Sequence, residues 1–125
     1  MKIKTTFVIL LCLFSSNLFA DIDGCSDGNT CYLRSETYTG NIKLFCVQSP
    51  ALNEAGGHDA HVFLTKLIKG TITVLIDSFD NQNNLIAELI RDDGLNVGLN
   101  LVESGHAKLS KDCIEAEYLL ARNYK

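Results

Sequence analysis

Residues 93 to 107, Asp93-Gly94-Leu95-Asn96-Val97-Gly98-Leu99-Asn100-Leu101-Val102-Glu103-Ser104-Gly105-His106-Ala107, decide how the rest of the chain is read. Their apolar positions obey two periods at once. Leu95, Val97, Leu99 and Leu101 alternate as a strand would, while Val97, Leu101 and Val102 share one face of a helix. Periodicity alone leaves both readings open.

The neighbouring segments are less ambiguous. Asp92-Asp93-Gly94 is a turn, and before it Leu85 to Arg91 reads as a strand. Asp80-Asn81-Gln82-Asn83-Asn84 is a polar turn, preceded by a second strand, Thr71 to Phe79, rich in β-branched Thr71, Ile72, Thr73, Val74 and Ile76. From Asp59 onward Ala60, Phe63, Leu64, Leu67 and Ile68 recur at helical spacing with Gly70 beyond them, an amphipathic helix with a stop. Further back, Cys25-Ser26-Asp27-Gly28-Asn29-Thr30-Cys31 is nearly symmetric about Asp-Gly-Asn, a tight-turn signal. Thr30 to Glu36, a turn around Tyr38-Thr39-Gly40, and Asn41 to Val47 form a second hairpin. On the C-terminal side Ser110 reads as an N-cap, with Asp112 and Glu115 in the first turn and Ile114, Tyr118, Leu119 and Ala121 as the apolar face. Strands, a helix, two more strands, the ambiguous segment and a last helix make one α+β domain.

The N-terminus carries an address. Lys2 and Lys4 precede the apolar run Phe7 to Phe14, followed by Ser15-Ser16-Asn17 and a small residue, Ala20. This is the pattern of a cleavable secretory signal over residues 1 to 20. Eight continuous apolar residues fall short of the roughly 20 that span a bilayer, and no membrane span is expected after cleavage. The mature domain is then 21 to 125, exported to the periplasm or beyond the cell.

Removing the signal takes Lys2, Lys4 and Cys12 with it. What remains holds 9 Lys plus Arg against 15 Asp plus Glu, a net charge of −6. A chain that holds nucleic acid usually presents a basic face, since phosphate neutralisation supplies most of the affinity. The acidity therefore favours a protein or small ligand as partner. Four cysteines are left, an even set in a compartment where disulfides persist. If Gly28 lies near the middle of its turn, Cys25 and Cys31 face each other, and Cys46 would join Cys113.

The residues then resemble the staphylococcal nuclease (thermonuclease) family. Ser26-Asp27-Gly28-Asn29-Thr30 looks like its Asp-Gly-Asp-Thr turn, and Val47-Gln48-Ser49-Pro50-Ala51 like its Val-Asp-Thr/Ala-Pro-Glu segment. Asp59-Ala60-His61-Val62-Phe63-Leu64 resembles the opening of its first long helix. Residues 93 to 107 are similar to its signature of Asp-Gly, Val-Asn, Leu-Val and Gly-Leu-Ala, which makes the ambiguous stretch a helix ending at Gly105. The resemblance implies an OB-fold barrel of five strands with three helices, its first strand shortened by the cut after Ala20.

It also implies a site that is not retained. The family cleaves phosphodiesters with calcium held by aspartates, a glutamate and two arginines. The aspartate positions fall on Asn29 and Gln48, the glutamate on Ala51, and the arginines on Lys43 and Asn84. Calcium affinity comes from ionised carboxylates, which amides do not replace. An alanine neither accepts nor orients a proton, worth typically about 10² to 10⁴ in rate. Lysine lacks the planar fork of arginine. Glu54, three residues past Ala51, is the one carboxylate that a shift of the loop would bring in.

Other candidates have simpler readings. His58 and His61 lie three apart at a helix start, as half of a metal site would, but no second pair completes it, and two solvated histidines are the plainer account. His106 reads as a partly buried core residue. The sequence thus implies an exported, non-catalytic binding or structural module that needs no cofactor. Two alternatives stand beside it: a divergent secreted calcium nuclease, for which Asp27, Lys43 and Ser49 speak, and a component of an envelope secretion or conjugation assembly.

Overall fold

The computed structural model describes residues 17–121. Its strands are β1 (Asn17–Cys25), β2 (Thr30–Arg34), β3 (Thr39–Leu44), β4 (Val47–Gln48), β5 (Ile72–Phe79), β6 (Leu85–Arg91) and β7 (Lys108–Leu109). Its helices among the described residues are α1 (Gly57–Leu67), α2 (Val97–Glu103) and α3 (Ala116–Ala121). Five strands form one sheet in the order β1-β2-β3-β6-β5, and β5 pairs back onto β1, so the sheet closes on itself. All its ladders are antiparallel except β3 with β6, which is parallel. The pair β4 and β7 forms a small separate sheet.

Alternation puts Leu33, Ile42, Leu44, Ile72, Val74, Leu85, Ala87 and Leu89 inside, and Leu64, Leu101 and Val102 close the core from the helices. The hairpins follow their turn chemistry. Asp27 Oδ1 accepts the Asn29 N–H at 3.0 Å, and the Ser26 N–H reaches Thr30 O at 2.9 Å, which sets Cys25 opposite Cys31. The second turn falls at Ser35 to Tyr38, earlier than Tyr38-Thr39-Gly40. The Ser35 hydroxyl accepts the Tyr38 N–H at 3.0 Å and closes it there, leaving Thr39 free to begin β3.

The ambiguous stretch is helical. Asn96 caps α2 by accepting the Leu99 N–H at 3.1 Å. At its other end Gly105 takes φ +84°, its N–H reaches Val102 O, and the His106 N–H reaches Leu101 O. That is a Schellman stop, which needs the left-handed conformation glycine adopts without strain. α1 begins two residues before Asp59, at Gly57, because Gly56 turns the chain at φ +84°.

Two expectations are corrected. The last helix does not start from Ser110. The Ser110 N–H bonds Cys46 O at 2.9 Å, and Cys113 is held by its disulfide, so residues 110 to 113 are pinned to the β3–β4 corner and α3 begins only at Ala116. Ile114 consequently lies outside the apolar face and is 83% exposed, while Tyr118 and Ala121 are buried. The first strand of the whole chain runs nine residues, with Asn17–Ala20 continuing it along β5; the shortened strand expected from the sequence belongs to a chain cut after Ala20. Residues 1–16, most of the segment expected to be a signal, lie outside the described residues.

Both disulfides pair as read: Cys25 with Cys31, and Cys46 with Cys113 across 67 residues of sequence. No helix among the described residues is long and apolar enough to cross a membrane.

Candidate functional site

Of the five family-equivalent positions, Asn29, Lys43 and Asn84 have side chains engaged within the fold, while Gln48 and Ala51 are exposed. Asn29 donates its side-chain amide to Val47 O at 3.1 Å, and its Oδ1 accepts the Thr30 hydroxyl at 3.3 Å. Its own carbonyl accepts the Leu44 N–H at 3.0 Å. The residue is a strut between the first turn and β4.

Lys43 and Asn84 meet through a residue that sequence reading left as part of a turn. Asp80 Oδ2 accepts the Asn84 side-chain amide at 3.0 Å and lies 3.9 Å from Lys43 Nζ. Its Oδ1 accepts the N–H groups of Gln82 at 2.9 Å and Asn84 at 2.8 Å. These hydrogen bonds, those of Asn84 first, hold the Asp80 carboxyl below its ordinary range, with Lys43 adding to the effect. Lys43 and Asn84 thus face one and the same carboxylate. The local signal, an Asp opening a polar turn, was visible in the sequence. Its reach to Lys43 depends on the parallel register of β3 and β6, which sets Ile42 against Leu85.

Gln48 is exposed on β4, paired in register with Lys108 of β7. Ala51 presents only backbone. Glu54 folds back onto it, its Oε1 accepting the Ala51 N–H at 2.8 Å, so the one compensating carboxylate does sit beside position 51. That contact closes the loop 51–54, together with the Glu54 N–H on Ala51 O at 2.9 Å. Asp27 and Ser49 also serve the fold: Asp27 closes the first turn, and the Ser49 hydroxyl donates to Gly28 O at 2.8 Å.

The calcium ligand set of the resembled family does not fit these residues. Asn29 and Gln48 bring uncharged amides, and among the described residues no carboxylate pair converges with Glu54. Among the described residues no group of three His, Cys, Asp or Glu could hold a metal ion. His58 and His61 part company as well. His58 is exposed, whereas half-buried His61 places Nε2 2.6 Å from Cys25 O and ties α1 to the first disulfide, so it is not a solvated residue on the polar face. His106 is partly buried as expected, stacked on Phe63 with ring centroids 4.2 Å apart. Asp93 of the turn pairs with Arg91.

What the surface offers instead is an open cleft of about 710 Å³ between the β4–β7 pair, the 49–55 loop and the end of α2. Gln48, Ser49, Glu54, His106 and Lys108 line it, a wall of mixed charge with hydrogen-bonding groups of every kind. Ser49 of this lining packs closely on Gly28, where a Cβ would meet Ala60 Cβ and Ser49 Cβ at 2.7 Å. Neither a protein-family model nor a curated protein matches this chain.

Proposed function

We propose that this chain is an exported, disulfide-stapled OB barrel of the staphylococcal nuclease kind that binds a ligand without cleaving it. The observation that carries the reading is Asp80, whose carboxylate occupies Asn84 and Lys43 at the position where the resembled enzymes meet phosphate with arginines. Two further features support it. The strand order β1-β2-β3-β6-β5 with one parallel pair, and a helix between β3 and β5, is compatible with the OB barrel that the resemblance implies. Disulfides suit an oxidising compartment.

The binding surface in this reading is the cleft bounded by Gln48, Glu54, His106 and Lys108. Its mixed charge and the acidic mature chain favour a protein or small polar ligand over a polyanion. The test is digestion of single-stranded DNA and RNA by the purified, oxidised chain with calcium and with chelator. No calcium-dependent cleavage is expected; chelator-sensitive cleavage at enzymatic rates would overturn the reading.

A divergent nuclease is the second reading, and one contact favours it: the Glu54 carboxylate beside Ala51. If it were the general base, Glu54→Gln would abolish cleavage while leaving the loop hydrogen bond to the Ala51 N–H intact.

A further inference from the structure

The two ladders of β1 meet at one peptide bond. Asn17, Leu18, Phe19 and Ala20 pair with Leu75, Val74, Thr73 and Ile72 of β5, whereas Asp21 to Cys25 pair with β2. The bond between Ala20 and Asp21 is also where the N-terminal pattern places signal cleavage. We propose that this cut opens the barrel between β1 and β5, and that the freed Ile72–Leu75 edge docks an extended, uncharged, apolar strand of a partner protein, added antiparallel. The proposal rests on the export reading above.

The occupant follows from what the cut removes. In the whole chain Ile72 and Val74 are 1% and 0% exposed, and Asn17–Ala20 form the strand beside them. After the cut, β5 keeps β6 on one side and has a row of free N–H and C=O groups on the other, next to apolar residues that formed a closed wall. Exposed edges of this kind are templates for another strand. Neither Ile72-Thr73-Val74-Leu75 nor Asn17-Leu18-Phe19-Ala20 carries a charge, so the strand that replaces the latter is uncharged.

A second copy of the chain suits the edge less well. Four residues of pairing offer far less than the roughly 1,000 Å² that a stable interface between folded proteins requires. A single extended segment needs no such area, since main-chain hydrogen bonds supply affinity and alternate side chains supply selectivity.

The experiment uses the mature, oxidised chain purified from the exported fraction, with its N-terminus read by mass spectrometry. Asp21 is expected there. An N-terminus at or before Asn17 overturns the docking proposal, and a chain left uncut in the cytoplasm overturns the export reading with it. The probe is the labelled peptide Ser15-Ser16-Asn17-Leu18-Phe19-Ala20. Saturable binding is expected, weaker by roughly tenfold or more for a peptide carrying both Leu18→Pro and Phe19→Pro, since adjacent N–H groups alternate in direction and one of the two must be a ladder donor. Hydrogen exchange at Ile72–Leu75 should slow on binding. If those amides are already protected in the free mature chain, or the peptide does not bind, the proposal fails while the export reading stands. Protection that instead rises with protein concentration, together with a dimer in sedimentation, would assign the edge to a second copy and overturn the partner strand.

Discussion

Asp80 holds Asn84 twice, accepting its backbone N–H at 2.8 Å and its side-chain amide at 3.0 Å, while the same carboxylate faces Lys43. Asp80→Ala should therefore release both Asn84 and Lys43 without unfolding the barrel. Hydrogen exchange at Gln82 and Asn84 is expected to accelerate by roughly tenfold or more, as for local opening of a surface turn. Exchange in Leu33 and Leu89 should stay unchanged, and calcium-dependent cleavage should still be absent, because releasing a lysine and an amide supplies no metal ligand.

Asp93 sets an acid limit. The Arg91 guanidinium, donating from both Nε and Nη2, and the Leu95 N–H at 3.2 Å lower its pKa from 3.8 to about 2. A folded-state value below the unfolded one means that its contribution is complete above the unfolded pKa and disappears as pH falls through about 2. Asp23 and Asp80 are shifted in the same direction. Urea midpoints should fall between about pH 4 and pH 2. The decline should be shallower in Asp93→Asn, and an identical decline in that variant would remove Asp93 from the account.

Among the described residues Tyr118 is the largest fully buried side chain, and its hydroxyl donates to Glu88 Oε2 at 2.8 Å while lying 3.3 Å from Asn96 Oδ1. It joins α3 to β6 and to the cap of α2. Burial first, and the neighbouring Glu88 carboxylate second, push the phenol well above its usual range. Tyr118→Phe is expected to cost about 1.5 to 3 kcal/mol, the worth of a hydrogen bond to a charged group. Chemical denaturation measures it, and a loss under about 0.5 kcal/mol would show that the network does not couple the helices.

The two disulfides should differ in weight. Cys46–Cys113 closes 67 residues and Cys25–Cys31 only 6. On the chain-entropy model, Cys46→Ser with Cys113→Ser should cost about 4 kcal/mol and Cys25→Ser with Cys31→Ser about 2. Denaturation of the paired variants under oxidising conditions checks the order.

Gly57 is required by a close approach rather than by its backbone angle. A Cβ there would lie 1.8 Å from Ala51 O, a backbone atom that moves only with the whole 51–54 loop. Gly57→Ala is expected to destabilise by about 3 kcal/mol or more, at the upper end of overpacking costs. Gly56→Ala, where the nearest atom is Pro50 Cγ at 3.6 Å, should cost less and through its positive φ alone. Equal losses would show that the loop yields freely.

Local chemistry already determined much of this protein. Period-2 alternation in β5 and β6, the Asp27-Gly28-Asn29 turn, the Gly105 stop and both cysteine pairs are written in residues close in sequence or in a four-cysteine count. Such signals act over a few residues and survive without knowledge of what packs beyond them. The start of the last helix was not legible, because the Cys46–Cys113 tether and the Ser110 bond to Cys46 override a good N-cap signal from 67 residues away. The same holds for the candidate site. Sequence reading placed Asn29, Lys43, Gln48, Ala51 and Asn84 by resemblance and saw that their charges had changed. Only tertiary structure showed Asp80 beneath two of them, Glu54 turned back on Ala51, and Lys108 opposite Gln48, since each depends on strand register or loop closure. A cut after Ala20, expected from the sequence, already implies a shorter first strand; only the strand pairing identifies the residues it would remove as those that pair with β5.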